Sequence, residues 1–315
     1  MHDPGRPVLA ILLATRNGAD MLGAQLDSFV AQSRPPDLVM VSDDGSTDGT
    51  RAVVQAFAAA HPEIRVDLRE GPCRGASENF LSLLRAVPEE VDIVAFSDQD
   101  DVWVADKLAR GIAALARAGR EDPGRPALYC GCTWECDQAL RRKRRSRRPR
   151  RAIGFRHALV QNIAGGNTMM LDRAGLELAR GASRETGAIV VHDWWLYQIV
   201  AGAGGRVIFD PEPVLYYRQH PNNLIGANRG PRAKLRRLRH MLAGGFRDWN
   251  TVNIRALTAS AHRLTPENRA VLERFARDRA APLTARLTML HETGVYRQGI
   301  EGTLSLWAAA LIGRL

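Results

Sequence analysis

The fold is decided by the stretch VAFSDQDDVW, residues 94–103, in which a short apolar run ends in three carboxylates within four residues. The apolar run is typical of a buried strand, and the residues that follow the acids are typical of a helix. The acids are Asp98, Asp100 and Asp101, and they repel one another unless a cation lies among them. Hard divalent ions such as Mg2+ and Mn2+ prefer such oxygen ligands. The stretch therefore predicts a metal site at a strand end; a solvated turn with a helix cap is the alternative.

The first 118 residues alternate apolar runs with amphipathic segments of helical period. Predicted strands cover residues 8–15, 38–42, 64–68 and 91–97, and predicted helices cover 20–32, 51–60, a segment from 77, and 104–118. Strands that alternate with helices of this length form a parallel α/β sheet, which binds ligands beyond the carboxyl ends of its strands. Thr15, Arg16 and Asp44 follow two of these ends, so we expect them to lie beside Asp98.

The remaining chain is more mixed in pattern. Strands are predicted at residues 127–134 and 168–171, an extended pair at 206–209 and 214–218, and helices at 155–162, from 192 to about 201, at 229–242 and at 303–312. Pro211 and Pro213 interrupt the extended pair, because proline removes a donor from a ladder. The predicted fold class is α/β, with a mixed, mainly parallel sheet flanked by helices and a helical C-terminal extension.

The composition is that of a soluble globular protein, with 45% hydrophobic and 25% charged residues among 315. The chain shows no secretory signal pattern and no apolar run near the roughly 20 residues that span a bilayer, so we expect a cytoplasmic protein. The cysteines lack the paired C-x2-C spacing of zinc sites, and we expect small buried side chains instead. They are Cys73, Cys130, Cys132 and Cys136.

Basic residues outnumber acidic residues by 44 to 34, which gives a net charge of +10, and they cluster in two places. Nine of the eleven residues in 141–151 are Arg or Lys, in a segment predicted to be a mobile loop, and six more lie between 229 and 239. Three interpretations stay open: a solvated charged face, attraction to anionic lipid, and binding of nucleic acid. Residues 141–151 contain no interleaved aromatic side chains to stack on bases, so nucleic acid is the least favoured partner.

Four motifs together resemble the family 2 glycosyltransferases of the GT-A (Rossmann-like) fold, and within them the rhamnosyltransferase-like group of bacterial cell-surface polysaccharide assembly. The motifs are VSDDGSTD at 41–48, FSDQDDVW at 96–103, HDWW at 192–195 and YRQHPNN at 217–223. The resemblance implies a GT-A domain over residues 1–226, with a nucleotide-binding half to about 118 and an acceptor half over 119–226. Residues 227–315 would form a basic, helical C-terminal region.

The resemblance implies an inverting, metal-dependent transfer of a sugar from a nucleotide diphosphate. L-rhamnose from dTDP-rhamnose is favoured, with a UDP-hexose or UDP-N-acetylhexosamine as the alternative. The acceptor would be a glycan or a lipid-linked glycan, reached by peripheral contact with the anionic inner face of the cell membrane. A non-catalytic nucleotide-sugar-binding protein and a nucleotidyltransferase are the other classes. The complete carboxylate set argues against the first, and the lack of a Gly-rich phosphate loop after the first strand argues against the second.

The same resemblance assigns roles to individual residues. Asp98 would contact the donor ribose, and Asp100 would bind the divalent cation, Mg2+ or Mn2+. His220 falls where the family often has a further metal or diphosphate contact, although an ordinary half-buried histidine is an equal alternative. Asp44 would recognise the base, and the residues nearby would be Thr15, Arg16 and Asn79.

Asp193 is the candidate general base, which must take the proton of the acceptor hydroxyl as that hydroxyl attacks the anomeric carbon. It lies at a predicted helix N-terminus beside Trp194 and Trp195, which would offer a stacking surface to a sugar, and Asn167 is a further acceptor-side candidate. A helix N-terminus lowers the pKa of an aspartate, so we expect proximity rather than pKa to make this base effective. The alternative is a plain helix cap with two core tryptophans.

Overall fold

The computed structural model describes residues 6–219 and 244–315. The strands are β1 Leu9–Thr15, β2 Leu38–Asp43, β3 Arg65–Glu70, β4 Ile93–Ser97, β5 Val102–Trp103, β6 Ala127–Cys136, β7 Arg144–Arg145, β8 Met170–Leu171 and β9 Arg206–Arg218. The helices are α1 Ala19–Val30, α2 Thr50–Ala60, α3 Ala76–Ala86, α4 Lys107–Glu121, α5 Phe155–Ala158, α6 Arg173–Glu185, α7 His192–Gly202, α8 Gly245–Ala259, α9 Pro266–Asp278, α10 Leu283–Thr293 and α11 Ile300–Leu311. The predicted helix at 229–242 lies outside the described residues.

One mixed sheet carries the architecture, with strand order β3-β2-β1-β4-β8-β6-β9-β5 and β7 paired to β6. The strands β1, β2, β3 and β4 are parallel, as predicted, and β8 and β5 add antiparallel pairs. Thr15 pairs with Asp43 and Leu13 pairs with Ser97, so β1, β2 and β4 end at the same edge of the sheet. The polar loops that follow these strands therefore meet there.

The segment after the three carboxylates differs from the prediction. Val102–Trp103 forms a strand that pairs antiparallel with β9, and the next helix begins only at Lys107. Burial explains the difference, because Trp103 is buried and packs on Phe29 with 4.7 Å between ring centroids. Asp101 therefore precedes a strand and does not cap a helix.

The predicted extended pair is one continuous strand, β9. It runs through both prolines because its register with β6 shifts at that point: Gly131 pairs with Asp210, whereas Cys132 pairs with Pro213. Such a bulge leaves no ladder donor to lose at a proline. The two-strand prediction for residues 206–218 is therefore wrong.

Part of the basic run 141–151 is ordered into the sheet. Arg144–Arg145 pairs with β6, and the Arg145 guanidinium lies 2.6 Å from the Glu212 carboxylate. Lys143 lies over the ring of Tyr216, 4.2 Å from its centroid. The prediction of a loop is wrong for this part of the run, because acidic and aromatic partners on β9 bind it.

Apolar side chains pack on both faces of the sheet. The core on one face is covered by α1, α2 and α4, and it includes Leu13 and Phe29. The core on the other face includes Leu12 and Trp195 and continues without interruption to Phe275 and Leu306 in the C-terminal helices. The helices α3, α6 and α7 cover this face of the sheet, and the C-terminal helices extend the same core by packing against α5 and α7. Burial of this apolar surface is the dominant favourable contribution to folding.

Candidate active site

Polar loops meet at the edge where β1, β2 and β4 end. The Asn17 backbone N–H donates to Ser46 Oγ at 2.8 Å, and Asn17 Oδ1 accepts the Thr47 N–H at 2.8 Å. The Gly18 N–H donates to Thr50 Oγ1 at 2.8 Å. Short polar side chains thus supply the partners that the strand ends leave unpaired. These bonds explain the density of Ser, Thr, Asn and Asp in this motif and fix the rim of the site.

Gln99 joins the loop after β4 to the end of β1. Its Oε1 accepts from Thr15 Oγ1 at 2.6 Å and from the Arg16 N–H at 2.8 Å, and its Nε2 donates to the Arg16 carbonyl at 3.0 Å. An amide side chain has both the donor and the acceptor that this bridge requires. Gln99 thereby places Thr15 and Arg16 beside the loop that carries Asp98, as predicted. Gln99 itself was not predicted, although an amide side chain among three acids could have indicated its role.

Asp44 and Asn79 lie on the β2 side of the edge, and both are buried. The Asp44 carboxylate accepts the N–H groups of Cys73 at 2.7 Å and Gly75 at 3.1 Å. Asn79 Nδ2 donates to the Ser42 carbonyl at 2.9 Å, and Asn79 Oδ1 accepts from the Ser42 hydroxyl. In this structure these polar atoms hold α3 and its preceding loop against β2. The nucleotide contacts assigned to Asp44 and Asn79 stay predictions.

The carboxylates of Asp98, Asp100 and Asp101 converge, with one oxygen of each within 4.8 Å of the others. Asp101 is fully buried; its Oδ2 accepts from Asn167 Nδ2, whereas its Oδ1 has no hydrogen-bond partner. A buried orphan oxygen beside two further carboxylates fits a hard cation such as Mg2+ or Mn2+. The cysteines form no comparable group in the described part of the chain, and those buried on β6 are Cys130, Cys132 and Cys136.

The electrostatics of the cluster indicate the same need for positive charge. Burial, together with the charges of Asp100 and Asp193, raises the pKa of Asp98 to about 7. Burial and the two neighbouring carboxylates also raise the pKa of Asp101 well above its usual range. Each shift expresses the free-energy cost of ionising one of these groups. A cation at the cluster would lower that cost.

Asp193 lies in the first turn of α7, and its Oδ2 accepts the Gly166 N–H at 3.2 Å while its Oδ1 accepts the Trp194 N–H at 2.6 Å. Burial raises the pKa of Asp193 to about 6, against hydrogen bonds from Trp194, Gly166 and Asn162 that lower it. The prediction of a low pKa is therefore wrong, because burial of the carboxylate outweighs the helix terminus. Gly166 can carry no side chain, since an added Cβ would collide with the ring of His192.

The tryptophans that follow Asp193 belong mainly to the core. Trp195 is fully buried, and Trp194 is 5% exposed, with its indole N–H donated to the Ala158 carbonyl at 2.6 Å. A sugar cannot stack on a fully buried ring, so the predicted acceptor contact is wrong for Trp195. Trp249 packs edge-on against Trp194, with 6.2 Å between centroids, and is 41% exposed. It was not predicted, because nothing in its local sequence places α8 beside α7.

The end of β9 also reaches the acidic cluster. A guanidinium nitrogen of Arg218 lies 3.5 Å from the backbone carbonyl oxygen of Asp100. This contact brings the start of the YRQHPNN motif to the metal-fitting residues. His220 lies outside the described residues, and its role stays a prediction.

Comparison with known proteins places these motifs in a family. A model of the family described as Glycosyl transferase family 2 matches residues 10–176. The chain is 29% identical over 233 residues to the dTDP-rhamnosyl transferase RfbG of Shigella flexneri, covering 72% of this chain and 78% of that protein. It is 31% identical over 105 residues to the putative teichuronic acid biosynthesis glycosyltransferase TuaG of Bacillus subtilis (strain 168), covering 33% of this chain and 40% of that protein.

Solved structures share the fold. The mannosyltransferase PcManGT from Pyrobaculum calidifontis, in complex with GDP-Man and Mn2+, has a TM-score of 0.52 at 22% identity and covers 98% of this chain and 86% of that one. Residues 1–349 of TarS from S. aureus, in complex with UDP-GlcNAc, have a TM-score of 0.55 at 12% identity. The match covers 91% of this chain and 92% of that one. These likenesses confirm the predicted mixed α/β GT-A fold class.

Proposed function

This chain belongs to glycosyl transferase family 2 and is a glycosyltransferase, and from that premise we propose that it transfers L-rhamnose from dTDP-rhamnose, with inversion, to a glycan or lipid-linked glycan of a cell-surface polysaccharide. The observation that carries this proposal is the convergence of three carboxylates and Asp193 at one edge of the sheet. Similarity to a dTDP-rhamnosyl transferase over 72% of the chain supports the choice of donor. A UDP-hexose or UDP-N-acetylhexosamine is the alternative donor.

The donor side is formed by the loops after β1, β2 and β4. In the proposal, Asp98 contacts the ribose and Asp100 binds Mg2+ or Mn2+, with His220 as a further contact. A bound divalent cation supplies positive charge that stabilises the leaving diphosphate. The remaining donor contacts proposed are Thr15, Arg16, Asp44 and Asn79.

Asp193 acts on the acceptor side. Its carboxylate takes the proton of the acceptor hydroxyl while the hydroxyl oxygen forms a bond to the anomeric carbon. The bond from that carbon to the diphosphate oxygen breaks at the same time, and its electron pair leaves with the nucleoside diphosphate. With a pKa of about 6, Asp193 is mostly ionised at neutral pH. This pKa is also close enough to neutral pH for the carboxylate to accept a proton readily.

We assign the donor contacts to residues 1–118 and the base to residues 119–226, which together form the GT-A domain. We assign two roles to residues 227–315: packing against that domain and contact with the membrane. The core that continues from the sheet to Phe275 and Leu306 supports the proposal that residues 227–315 pack against the GT-A domain. No helix in the described ranges has the length and apolarity to cross a bilayer. In the proposal, contact with a lipid-linked acceptor is made at a surface of residues 227–315.

The last helix offers such a surface, because one of its faces is apolar and exposed. Leu306 on the opposite face is fully buried in the core. Arg150 and Arg151 lie at the start of this helix, where both backbone N–H groups donate to Gln298 at 2.9 Å. Arginines beside an exposed apolar helix suit the surface of an anionic membrane. The exposed stripe consists of Ile300, Leu304, Leu311 and Ile312, with Ile300 81% and Leu304 63% exposed.

Flotation with vesicles tests this attachment. We expect the full chain to float with vesicles that contain phosphatidylglycerol, and Leu304→Glu to reduce the bound fraction severalfold because it buries a charge in the apolar boundary. Leu283→Glu alters another exposed leucine and serves as the control. Equal flotation of both variants, or no flotation of the wild type at low salt, would reject the surface.

A panel of donors tests the reaction. The full chain is incubated with Mn2+ and dTDP-rhamnose, UDP-glucose or UDP-N-acetylglucosamine, and thermal stability and release of nucleoside diphosphate are measured. A ligand that binds only the folded protein raises Tm as its concentration exceeds its Kd, so we expect the largest shift and the fastest release with dTDP-rhamnose. A Tm shift and release of nucleoside diphosphate with a UDP-sugar alone would identify that UDP-sugar as the donor instead. Stabilisation without release would still identify the donor and would show that turnover requires an acceptor.

A further inference from the structure

A buried lysine lies beneath the acidic cluster. Lys107 is fully buried at the first residue of α4. Its Nζ donates to the Asn167 carbonyl at 2.5 Å and lies 3.1 Å from the centroid of the Trp103 ring. A buried ammonium costs several kcal/mol unless it is paired with opposite charge and hydrogen-bonded. Its surroundings must therefore be anionic.

The carboxylates of the cluster act on Lys107 through their charges. Burial lowers the pKa of Lys107 well below its usual value, and the charges of Asp101 and Asp98 act in the opposite direction. The carboxylates therefore favour the ammonium form of Lys107, against the burial that disfavours it.

Lys107 also contacts the turn that holds the base. Asn167 accepts from Lys107 at its carbonyl and donates its side-chain amide to Asp101. The residue before it, Gly166, donates its N–H to Asp193 at 3.2 Å. A continuous set of contacts thus runs from the acidic cluster, through the 3-10 turn Gly166–Thr168, to the base.

We propose that Lys107 is a positioning residue for the transfer: it fastens the Gly166–Thr168 turn to the acidic cluster, so that Asp193 is held at the correct distance from the donor site. This inference rests on the proposed function. Lys107 touches neither donor nor acceptor, and it acts through Asn167 and Gly166. Loss of its charge and its hydrogen bond would therefore lower kcat more than it changes the KM of the donor.

Lys107→Met tests the proposal, because methionine keeps an unbranched apolar chain over Trp103 and removes the charge. Loss of a group that orients catalytic residues costs about 10- to 100-fold, so we expect kcat to fall by that factor while the donor KM stays within about threefold. The midpoint of stabilisation by Mn2+ alone should shift, because removal of the lysine frees the Asn167 residue that binds Asp101. Lys143→Met is the matched control, since Lys143 also lies over an aromatic ring but contacts none of these acids.

If the single variant fails to fold, the double variant Lys107→Met/Asp101→Asn provides the test. It removes the lysine and the aspartate together, so no unpaired charge of this pair stays buried. We expect the double variant to recover Tm and to keep the low kcat. Near wild-type kcat in either folded variant would overturn the proposal. If the wild type transfers no sugar at all, the proposed function fails; an unchanged Mn2+ midpoint in Lys107→Met would then separately overturn the role of Lys107.

Discussion

The N–H of Gly166 donates to Oδ2 of Asp193 over 3.2 Å, and this bond fixes Asp193, the proposed base, to the Gly166–Thr168 turn. The adjacent Asn167 donates to Asp101. Asp193 and the acidic cluster are therefore joined through a single tight turn. The geometry of that turn, and the charges on either side of it, lead to the following predictions.

Asp193→Asn should abolish turnover while donor binding survives. The amide oxygen can still accept the Gly166 N–H, but it cannot take a proton, so we expect kcat to fall about 10²- to 10⁴-fold. Release of nucleoside diphosphate in the presence of acceptor gives kcat, and the donor-dependent Tm shift gives binding. Asp172→Asn is the control, because Asp172 is another aspartate at a helix start, where it accepts the Gly175 N–H at 2.8 Å. Near-normal turnover of Asp193→Asn would reject the assignment.

Activity should fall on the acid side of about pH 6. The raised pKa of Asp193, about 6, means that the carboxylate is protonated, and thus unable to act as a base, at a higher pH than an ordinary aspartate. At saturating Mn2+ we expect kcat to be level at neutral pH and to drop about tenfold per pH unit below that pKa. Rates between about pH 4.5 and pH 8, with circular dichroism at each pH to show that the fold persists, provide the test. A profile flat to about pH 4.5 would contradict the assigned role.

Chelation should remove the activity, and Mn2+ or Mg2+ should restore it. Asp100→Asn removes one of three converging carboxylates, so we expect the Mn2+ midpoint in thermal shift to rise at least about tenfold and kcat to fall with it. Asp106→Asn is the control, since within residues 6–219 and 244–315 the ion pair of Asp106 is with Arg110 at the surface. Full activity after exhaustive chelation would exclude the cation from the reaction.

Gln99→Leu should weaken both the fold and the donor site. It leaves the Thr15 hydroxyl and the Arg16 backbone without their shared partner, a loss of about 1–3 kcal/mol in the free energy of unfolding. The donor KM should rise, because the loop that carries Asp98 is no longer tied to β1. Urea unfolding and donor titration measure the two effects, with the exposed Gln55→Leu as the control. Unchanged stability and KM would show that the bridge is dispensable.

Phe275→Ala should destabilise the whole chain in one transition. Phe275 is fully buried in the core that also contains Leu12 and Trp195, and removal of a buried phenyl ring costs about 3–5 kcal/mol. Far-ultraviolet circular dichroism follows all helices, and the near-ultraviolet signal of the six tryptophans follows the packing of the aromatic side chains; we expect coincident curves. Two separate transitions, with only one affected, would show that the helices beyond residue 226 form an independent unit.

Local patterns were sufficient to predict the sheet edge and the acidic cluster. The strands β1, β2 and β4 are continuous apolar runs that end in polar residues, and the carboxyl ends of parallel neighbours meet wherever the helices return the chain in the same direction. Asp98 and Asp100 converge because they lie two residues apart in the loop after β4, and the topology brings the loops after β1 and β2 beside them. The family motifs then assigned roles that the pattern could not.

Features that depend on distant contacts were not predictable. Lys107 reaches the cluster because β5 pairs with β9, more than one hundred residues later, and delays the start of α4. The pKa of Asp193 depends on how completely its carboxylate is buried. The two adjacent tryptophans in the sequence do not reveal that burial. Trp195 belongs to a core that brings together residues from Ala10 to Leu315, and its local sequence does not reveal this.

The core shared by Leu12 and Leu306 has a consequence for biosynthesis. A ribosome makes the sheet together with α3, α6 and α7 first, yet the part of this core that Phe275 and Leu306 complete stays uncovered until the C-terminal helices have emerged. Until then the nascent chain presents an apolar surface that is prone to aggregation. Yield in recombinant expression should depend on growth temperature and on chaperone supply, and a stop codon shortly before residue 300 should lead to inclusion bodies.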